Sequence, residues 1–235
     1  GNLLLTLGLL AIAHELELRG VQFVLHHAVI GFDHEQDPAT GKSQIVAINL
    51  AGRDPIQVTP NTQVILATGA SINRLTEPLG IKTFVEPAEG YHITIARPAT
   101  FPNVPYTLND EHVYVVPMGD KLRILGHLGL NGWNDQFNTT VTDHLLASFK
   151  KHYNLPNEDQ ITIESQWKGR RPCTPDTLPI IDKLPTWDNL VLTVGHCTHG
   201  IGLGPVTGHL LSQILDEQVD PDYLRILPYL REDRF

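Results

Sequence analysis

Residues 190–215 read LVLTVGHCTHGIGLGPVTGHLLSQIL, and this stretch decides the fold class. It opens with the apolar run Leu190–Val194, which predicts a strand, and it closes with Val206–Leu215, which predicts a helix. Between them lie the glycine-rich residues 195–205. A buried strand that turns through glycines into a helix is the unit from which α/β domains are built. The stretch therefore predicts an α/β domain.

The same pattern occurs in the front part of the chain. Val64–Ala67 is a short apolar run that predicts a strand buried on both faces, and Thr68–Gly69 begins a turn into a helix. Residues 3–19 carry apolar side chains on nearly every face and end in a basic last turn followed by a glycine, so we expect a buried helix there. Val21–Leu25 predicts the strand that follows it.

Two further regions are richer in strand patterns. Residues 29–50 predict a β-meander, because the turn-forming residues 37–42 separate two apolar runs. Between residues 83 and 170 one helix, Val141–Tyr153, accompanies the short strand patterns Tyr91–Ala96, His112–Val116, Lys121–His127 and Ile161–Trp167. We therefore expect a two-domain fold of mixed α/β and α+β character. Residues 1–82 and 171–235 would form the α/β domain, and residues 83–170 an antiparallel β-sheet domain with flanking helices.

The charge balance and the cysteine count limit the partners and the location. The chain has 17 Lys and Arg against 26 Asp and Glu, a formal net charge of −9, so we expect no nucleic-acid partner. Its 2 cysteines form one bridge at most, which fits a reducing compartment, and the expected location is the cytoplasm. The opening apolar stretch has no basic residue before it and is too short to span a bilayer.

Residues 195–205 are the sharpest candidate for a binding site. Glycines let a ligand approach the backbone closely, and the helix N-terminus offers unpaired N–H groups, so we expect an anionic or electron-rich ligand edge there. The order of these glycines does not match G-x-G-x-x-G, so a dinucleotide phosphate loop is not expected. The alternative is that the glycines serve only the packing of a tight connection.

Arg170 and Arg171 end a predicted strand and precede a proline-rich turn. A guanidinium binds a carboxylate with two hydrogen bonds, so this position suits the carboxylate of an amino acid. Because side chains alternate along a strand, only one of the two is expected to point inward. The alternative is a solvated pair or a structural ion pair.

His196, Cys197 and His199 suggest a different chemistry, that of a metal or thiol protein. Glycines surround them, and no carboxylate or second cysteine lies at ligand spacing, so we expect no metal. Cys197 has uncharged apolar surroundings, which favour a buried, inert cysteine over a nucleophile. A metal or thiol protein that uses His196 and Cys197 stays as an alternative.

Residues 167–181, WKGRRPCTPDTLPII, resemble the W-x-G-x-R-P-x-T-P-D-x-x-P-x-I signature of the D-amino-acid oxidase superfamily of flavoproteins. The Gly195–Gly200 segment follows at the usual spacing of that family. Upstream, Val64–Ala70 resembles the second strand and turn of the flavin domain, and Pro87–Tyr91 resembles the entry to the substrate domain. The pattern is closest to that of D-amino-acid dehydrogenase and glycine oxidase.

The resemblance implies an FAD-dependent oxidoreductase that moves a hydride from the Cα of an amino acid or related amine to the flavin and yields an imino acid. The α/β domain would then be an incomplete FAD-binding, Rossmann-like domain. Arg171 would hold the substrate carboxylate, and Tyr91 and Tyr114 would line the pocket, with a core position as the alternative for each tyrosine. The residues expected to hold FAD are Val29, Ala67, Thr68, Gly69, Gly195, His196, Gly200, Ile201, Gly202 and Leu203.

The chain departs from the family pattern in two places. Family members open with a strand, G-x-G-x-x-G and a helix, which these residues lack, so we expect a C-terminal portion that needs an N-terminal segment or a partner chain. The alternative is a non-catalytic fragment that self-associates as a homo-oligomer through exposed apolar surface. Thr198 stands where glycine oxidase-like members place Arg, so no second carboxylate clamp is expected there. Oxygen and a quinone pool stay open as electron acceptors, and a quinone would imply peripheral association with the inner face of a membrane.

Overall fold

The computed structural model describes residues 2–153 and 161–235, and for residues 2–6 it describes the backbone alone. The strands are β1 (Val29–Gln36), β2 (Ser43–Leu50), β3 (Arg53–Gln57), β4 (Val64–Leu66), β5 (Glu86–Ala96), β6 (Tyr106–Leu108), β7 (Val113–Met118), β8 (Lys121–Gly129), β9 (Ile163–Cys173), β10 (Ile180–Lys183) and β11 (Leu190–Val194). The α-helices are α1 (Asn2–Leu18), α2 (Ile72–Thr76), α3 (Thr139–His152), α4 (Gly200–Leu215) and α5 (Pro221–Leu224). Short 3₁₀ helices cover Gly69–Ser71, Glu77–Leu79, Leu227–Tyr229 and Glu232–Arg234.

The chain divides into two compact units. The first unit consists of Gly1–Leu25, Glu89–Gly129 and Trp133–Gly169, and the second of His26–Ala88, Leu130–Gly132 and Arg170–Phe235. The mixed α/β class with antiparallel sheets is confirmed. The first 25 residues group with the first unit, whereas the sequence assigned them to the α/β domain. The cofactor and substrate roles given to the two domains stay predictions.

The second unit is built around β11, the strand that the sequence predicts at Leu190–Val194. β11 pairs in parallel with β4 and antiparallel with β10, which gives the order β10-β11-β4. The antiparallel β1-β2-β3 meander packs on the same apolar core. Buried Asn189 joins the two sheets, because its side-chain amide donates to the carbonyl of Ile45 and accepts from the N–H of Ile45, both at 2.9 Å. The predicted strand 190–194 and the predicted meander are thus confirmed.

The first unit holds most of a five-stranded sheet with the order β6-β7-β8-β5-β9. One face of this sheet packs on α3 through a fully buried cluster that includes Ile93, Val115, Ile124 and Phe149. The side chain of Asn138 caps α3 by accepting from the N–H of Thr140, and three basic residues occupy its last turn. The predicted short strands and the predicted helix Val141–Tyr153 correspond to this sheet and to α3.

Three predictions about apolar segments are wrong. From residue 7 onward the side chains of α1 are exposed except that of Ala13, which is half-buried, and Leu10 is 60% exposed, so the described residues do not bury this helix. Val21–Leu25 forms no strand, because no described strand pairs with it. β4 is buried on one face only, since Ile65 is exposed between two buried neighbours. Among the described helices, none is long and apolar enough to cross a membrane.

Candidate functional site

The turn after β11 depends on Gly195. This residue has a φ of +88°, a backbone conformation that side chains with a Cβ rarely adopt. A Cβ built on Gly195 would also lie 2.7 Å from Cγ2 of Thr174, which is buried. Glycine is therefore required here for two reasons, the positive φ of Gly195 and the close approach of Thr174.

His196 ties the turn to the helix that follows it. Its Nε2 lies 2.9 Å from the hydroxyl of Thr207 on α4, and burial lowers the pKa of His196 below its usual 6.5. The imidazole is therefore mostly neutral at pH 7 and holds the turn against the helix. Within residues 2–153 and 161–235, no group of three His, Cys, Asp or Glu side chains is arranged to hold a metal ion.

α4 begins at Gly200, six residues before the predicted start, so the glycine-rich stretch is its first turn. Hydrogen bonding within the helix starts with Leu203, whose N–H donates to the carbonyl of His199 at 2.9 Å. The N–H groups of Gly200, Ile201 and Gly202 precede that bond and have no partner inside the helix. Nothing lies within 4 Å of a Cβ built on Gly202, so this helix end is open to a ligand. Four predicted cofactor residues thus form one helix N-terminus.

The predicted cofactor residues Ala67, Thr68 and Gly69 lie at the same sheet edge as this turn. They follow β4, which runs parallel to β11 with Leu66 opposite Leu192. The carboxyl ends of parallel strands meet at one edge, which is where ligands of open α/β sheets bind. Ala67 and Thr68 are exposed there. Val29, by contrast, begins β1 in the separate three-stranded sheet, and its cofactor role stays a prediction.

A disulfide between Cys173 and Cys197 fastens the end of β9 to the same turn. The N–H of Cys197 donates to the carbonyl of Pro172 at 2.8 Å, and Cys173 forms an antiparallel bridge with His196. The prediction of a buried, inert cysteine needs correction, since Cys197 is half-buried and bonded to Cys173, and the thiol alternative fails because Cys197 carries no thiol. Arg171, two residues before the disulfide, is half-buried and has no ion-pair partner among the described residues.

The T-P-D segment after the disulfide is held by an arginine near the chain end. Arg234 binds both carboxylate oxygens of Asp176, with Nε at 2.8 Å and a terminal nitrogen at 3.0 Å. The hydrogen bonds from Arg234 lower the pKa of Asp176 to about 2, so its carboxylate is ionised at neutral pH. This contact anchors the loop that supplies Thr174 to the close approach at Gly195.

The two tyrosines predicted to line a pocket lie on opposite faces of the five-stranded sheet. Tyr91 is 2% exposed within the core under α3, and its ring packs edge-on against Phe137. This position favours the core alternative for Tyr91. Tyr114 is 49% exposed on the other face, which we name the ring face. The ring face consists of His92, Thr94, Tyr114, Arg123, Leu125 and Trp167.

The tryptophan and glycine of the W-x-G motif depend on each other. The indole of Trp167 lies over Gly169, so that a Cβ on Gly169 would come within 1.9 Å of the ring. The same indole stacks on the imidazole of His92, with ring centroids 5.2 Å apart. Glycine at position 169 thus leaves the space in which Trp167 lies flat on the ring face.

Sequence reasoning missed a buried ion pair beside this motif. Nζ of Lys168 lies 3.0 Å from a carboxylate oxygen of Glu89, and the two side chains are only 9% and 3% exposed. Lys168 also donates to the carbonyls of Asn134 and Gln136, at 2.7 and 2.6 Å. The signal in the sequence is a lysine inside the W-x-G-x-R-P motif, next to two arginines that are the more obvious anion-binding residues. Its partner lies 79 residues away, a separation that local patterns do not bridge.

Comparisons with known proteins identify the family. Residues 7–214 match the family described as DAO, FAD dependent oxidoreductase. A D-amino acid dehydrogenase of Rhizorhabdus wittichii is 32% identical over 158 residues, which cover 64% of this chain and 36% of that protein. A glycine oxidase of Pseudomonas aeruginosa is 30% identical over 166 residues, which cover 68% of this chain and 44% of that protein. The chain thus spans less than half the length of these relatives.

Solved structures share the fold. The L-proline dehydrogenase from P. horikoshii superposes with a TM-score of 0.72 at 19% identity, over 93% of this chain and 56% of that one. The glycine oxidase from Geobacillus kaustophilus gives a TM-score of 0.68 at 22% identity, over 89% of this chain and 52% of that one. The family match extends over most of the sequence, including the turn after β11, the N-terminus of α4 and the end of β9 with Arg171. The chain therefore belongs to the DAO family of FAD-dependent oxidoreductases.

Proposed function

We propose that the chain supplies the substrate-binding arginine and part of the flavin site of an amino-acid oxidoreductase. The family is FAD-dependent, and several of its members bear names of enzymes that act on amino acids. In this proposal Arg171 binds the α-carboxylate of the substrate, and the N-terminus of α4 receives the electron-rich edge of the flavin. The reaction class is oxidation of an amino acid at Cα to the imino acid.

The observation that carries the proposal is the Cys173–Cys197 disulfide, which links the end of β9, where Arg171 lies, to the turn that leads into α4. Arg171 has no ion-pair partner in the described residues, yet it is half-buried. The Cys173–Cys197 disulfide and the bond from Cys197 to Pro172 fix its backbone next to the turn that starts α4. A carboxylate-binding group beside an anion-binding helix end is the arrangement that such an enzyme needs.

The second unit fits the flavin at this edge. The three N–H groups of Gly200, Ile201 and Gly202 offer hydrogen bonds and partial positive charge, and a Cβ built on Gly202 would meet nothing within 4 Å. Such a helix end stabilises negative charge on a ligand without reorganisation. Ala67–Gly69 line the same sheet edge. When bound, FAD supplies the redox chemistry by accepting a hydride from the substrate.

The residues of the chain itself bind and orient the substrate. Two parallel hydrogen bonds from the Arg171 guanidinium would fix the plane of the carboxylate and thereby the direction of the Cα–H bond. His196, neutral and hydrogen-bonded to Thr207, keeps the turn and the helix in register but donates no charge. Water would then hydrolyse the imino acid after it leaves.

An alternative proposal is that these residues hold FAD only together with another segment or a partner chain. The 235 residues contain no G-x-G-x-x-G phosphate loop. Leu9, Leu10 and Phe23 are also exposed, and apolar surface of this kind is normally covered by a partner. Under this alternative the chain alone takes up no FAD and self-associates.

Visible absorption of the purified chain before and after adding FAD separates the two proposals. If the chain retains a flavin spectrum, D- and L-amino acids are screened for bleaching, and Arg171→Leu is compared with Arg225→Leu at an exposed surface position. We expect Arg171→Leu to keep the flavin spectrum and to lower kcat/KM by about 100-fold or more, since a charged bidentate contact is lost. Equal kinetics of the two variants would refute the role of Arg171. A chain that takes up no FAD would support the alternative.

A further inference from the structure

A cavity of about 420 Å³ lies in the second unit, between β10, the end of α4 and the C-terminal residues. Three charged side chains line it, those of Asp182, Lys183 and Arg231. Its other lining residues are all apolar: Ile181, Pro185, Ile214, Leu224, Leu227 and Pro228. Sites for small molecules typically have volumes of about 300–1,000 Å³ and mostly apolar walls with a few polar groups. The cavity therefore has the size and the lining of a small-molecule site.

This cavity is separate from the proposed flavin contact. β10 runs antiparallel to β11, and Lys183 at the end of β10 lies opposite Val191 near the start of β11. The glycine-rich turn, by contrast, follows the other end of β11. Ile214 likewise lies at the end of α4, whereas the proposed flavin contact is at its N-terminus. A ligand in the cavity would consequently not depend on the proposed redox function.

Hydrogen bonds to β10 hold the C-terminal wall of the cavity in place. The N–H of Ile181 donates to the carbonyl of Leu230 at 2.9 Å. The N–H of Glu232 donates to one carboxylate oxygen of Asp182 at 3.0 Å. Residues 224–231, which supply this wall, are thus attached to the strand at their far end. The other carboxylate oxygen of Asp182 accepts no hydrogen bond from the described residues.

The charges that line the cavity differ in whether they already have a counter-ion. Nζ of Lys183 lies 3.5 Å from a carboxylate oxygen of Glu217, and a terminal nitrogen of Arg231 lies 2.5 Å from one of Asp233. Among the described residues, no cation lies within ion-pair distance of Asp182. Asp182 is therefore the lining charge that lacks a counter-ion, and the cavity favours a positively charged ligand.

The surroundings of Asp182 strengthen its preference for a cation. The side chain is half-buried, and burial raises the pKa of Asp182 above its usual 3.8. The backbone hydrogen bond from Glu232 and the charge of Arg231 act in the opposite direction but do not cancel this effect. A carboxylate that is partly removed from water without full compensation gains more from an added positive charge than a solvated one does.

We propose that this cavity binds a small organic ammonium ion with an apolar body. The ammonium group donates to the carboxylate oxygen of Asp182 that accepts no bond from the chain, and the apolar body lies against Ile181, Ile214 and Leu227. The negative charge selects an amine over an alcohol or an acid of the same shape, and the apolar wall selects a hydrocarbon body over a polar one.

The test compares hexylamine with hexan-1-ol and hexanoate, which share its hydrocarbon body but are neutral and negative. Isothermal titration of the whole chain, in phosphate buffer without added flavin, should show millimolar or tighter binding of hexylamine. Hexan-1-ol and hexanoate should each bind about 10-fold more weakly or worse. Asp182→Asn, which keeps an oxygen for the N–H of Glu232, should weaken hexylamine binding about 10-fold or more. Asp188→Asn, at an exposed carboxylate, is the matched control and should bind hexylamine as the wild-type chain does.

Several outcomes would overturn the proposal. Absence of hexylamine binding at millimolar concentration would do so, as would equal binding of hexan-1-ol, tighter binding of hexanoate or unchanged affinity in Asp182→Asn. Leu224→Ser tests the apolar wall at a position that is 52% exposed, so this variant should fold, and it should weaken hexylamine binding about 3-fold or more. If Asp182→Asn does not fold, Leu224→Ser decides, and wild-type affinity in that variant refutes the proposal.

Discussion

The two faces of the five-stranded sheet carry opposite kinds of side chain, although the same strands supply both. On the face under α3, residues such as Ile93, Val115 and Ile124 are fully buried and apolar. On the ring face, one position away in each strand, lie a histidine, a tyrosine and an arginine. Strand alternation therefore places the apolar core residues on one face and the polar and aromatic side chains on the other. Substitutions on the two faces should therefore differ in how much they lower the free energy of unfolding.

The largest contrast should come from removing one aromatic ring from each side. Phe149→Ala empties a fully buried site on α3 and should lower the free energy of unfolding by about 3–5 kcal/mol. Tyr114→Ala removes a half-exposed ring and should cost about 1 kcal/mol or less. Urea unfolding followed by circular dichroism measures both. Similar losses in the two variants would show that the ring face also belongs to the core.

A smaller but still large effect should follow from the buried ion pair at the end of the sheet. Lys168→Met leaves Glu89 buried without its ammonium partner and should cost about 3 kcal/mol. The matched control is Lys121→Met, because Lys121 pairs with Glu164 at the surface, where about 1 kcal/mol or less is expected. The double variant Lys168→Met with Glu89→Gln should recover part of the loss. No recovery would mean that Lys168 acts through its carbonyl contacts rather than through the pair.

Sequence patterns predicted the strands of the five-stranded sheet but not the interactions between their side chains. Strand patterns correctly identified the strands of the sheet, whereas Tyr114 became a candidate through the family resemblance. The sequence could not reveal that Nε of Arg123 has no hydrogen-bond partner among the described residues, because this depends on the surrounding structure and not on the strand. The pair of Lys168 with Glu89 escaped for the same reason, since its members come from distant parts of the chain.

In the second unit, too, the sequence predicted the strand but not the start of α4 or the disulfide beside it. Leu190–Val194 was predicted to the residue, because an apolar run bounded by polar residues and glycine leaves little choice. α4 starts earlier than expected, since the glycines of its first turn and Pro205, which lies inside the helix, resemble a loop in sequence. The disulfide of Cys173 with Cys197 required knowledge of which segments meet in space.

The smallest predicted effect is a pH dependence of folding stability that comes from His92 on the ring face. Burial first, and the charge of Arg123 second, hold the pKa of His92 at about 4, below its usual 6.5. Between these two pH values the unfolded chain takes up a proton that the folded chain does not. The stability that neutral His92 contributes is therefore complete above about pH 6.5 and is lost as the pH falls towards 4.

His92→Gln should remove this part of the acid sensitivity. Unfolding midpoints in urea, measured from pH 7 down to about pH 4.5, should fall less steeply in His92→Gln than in the wild-type chain. His14→Gln, at an exposed position of α1, serves as the control and should follow the wild-type curve. Arg123→Gln removes the second cause of the low pKa, so it should give an intermediate slope. Parallel curves for all four proteins would show that His92 is solvated like an ordinary surface histidine. The stacked rings of His92 and Trp167 would then not form an uncharged aromatic surface.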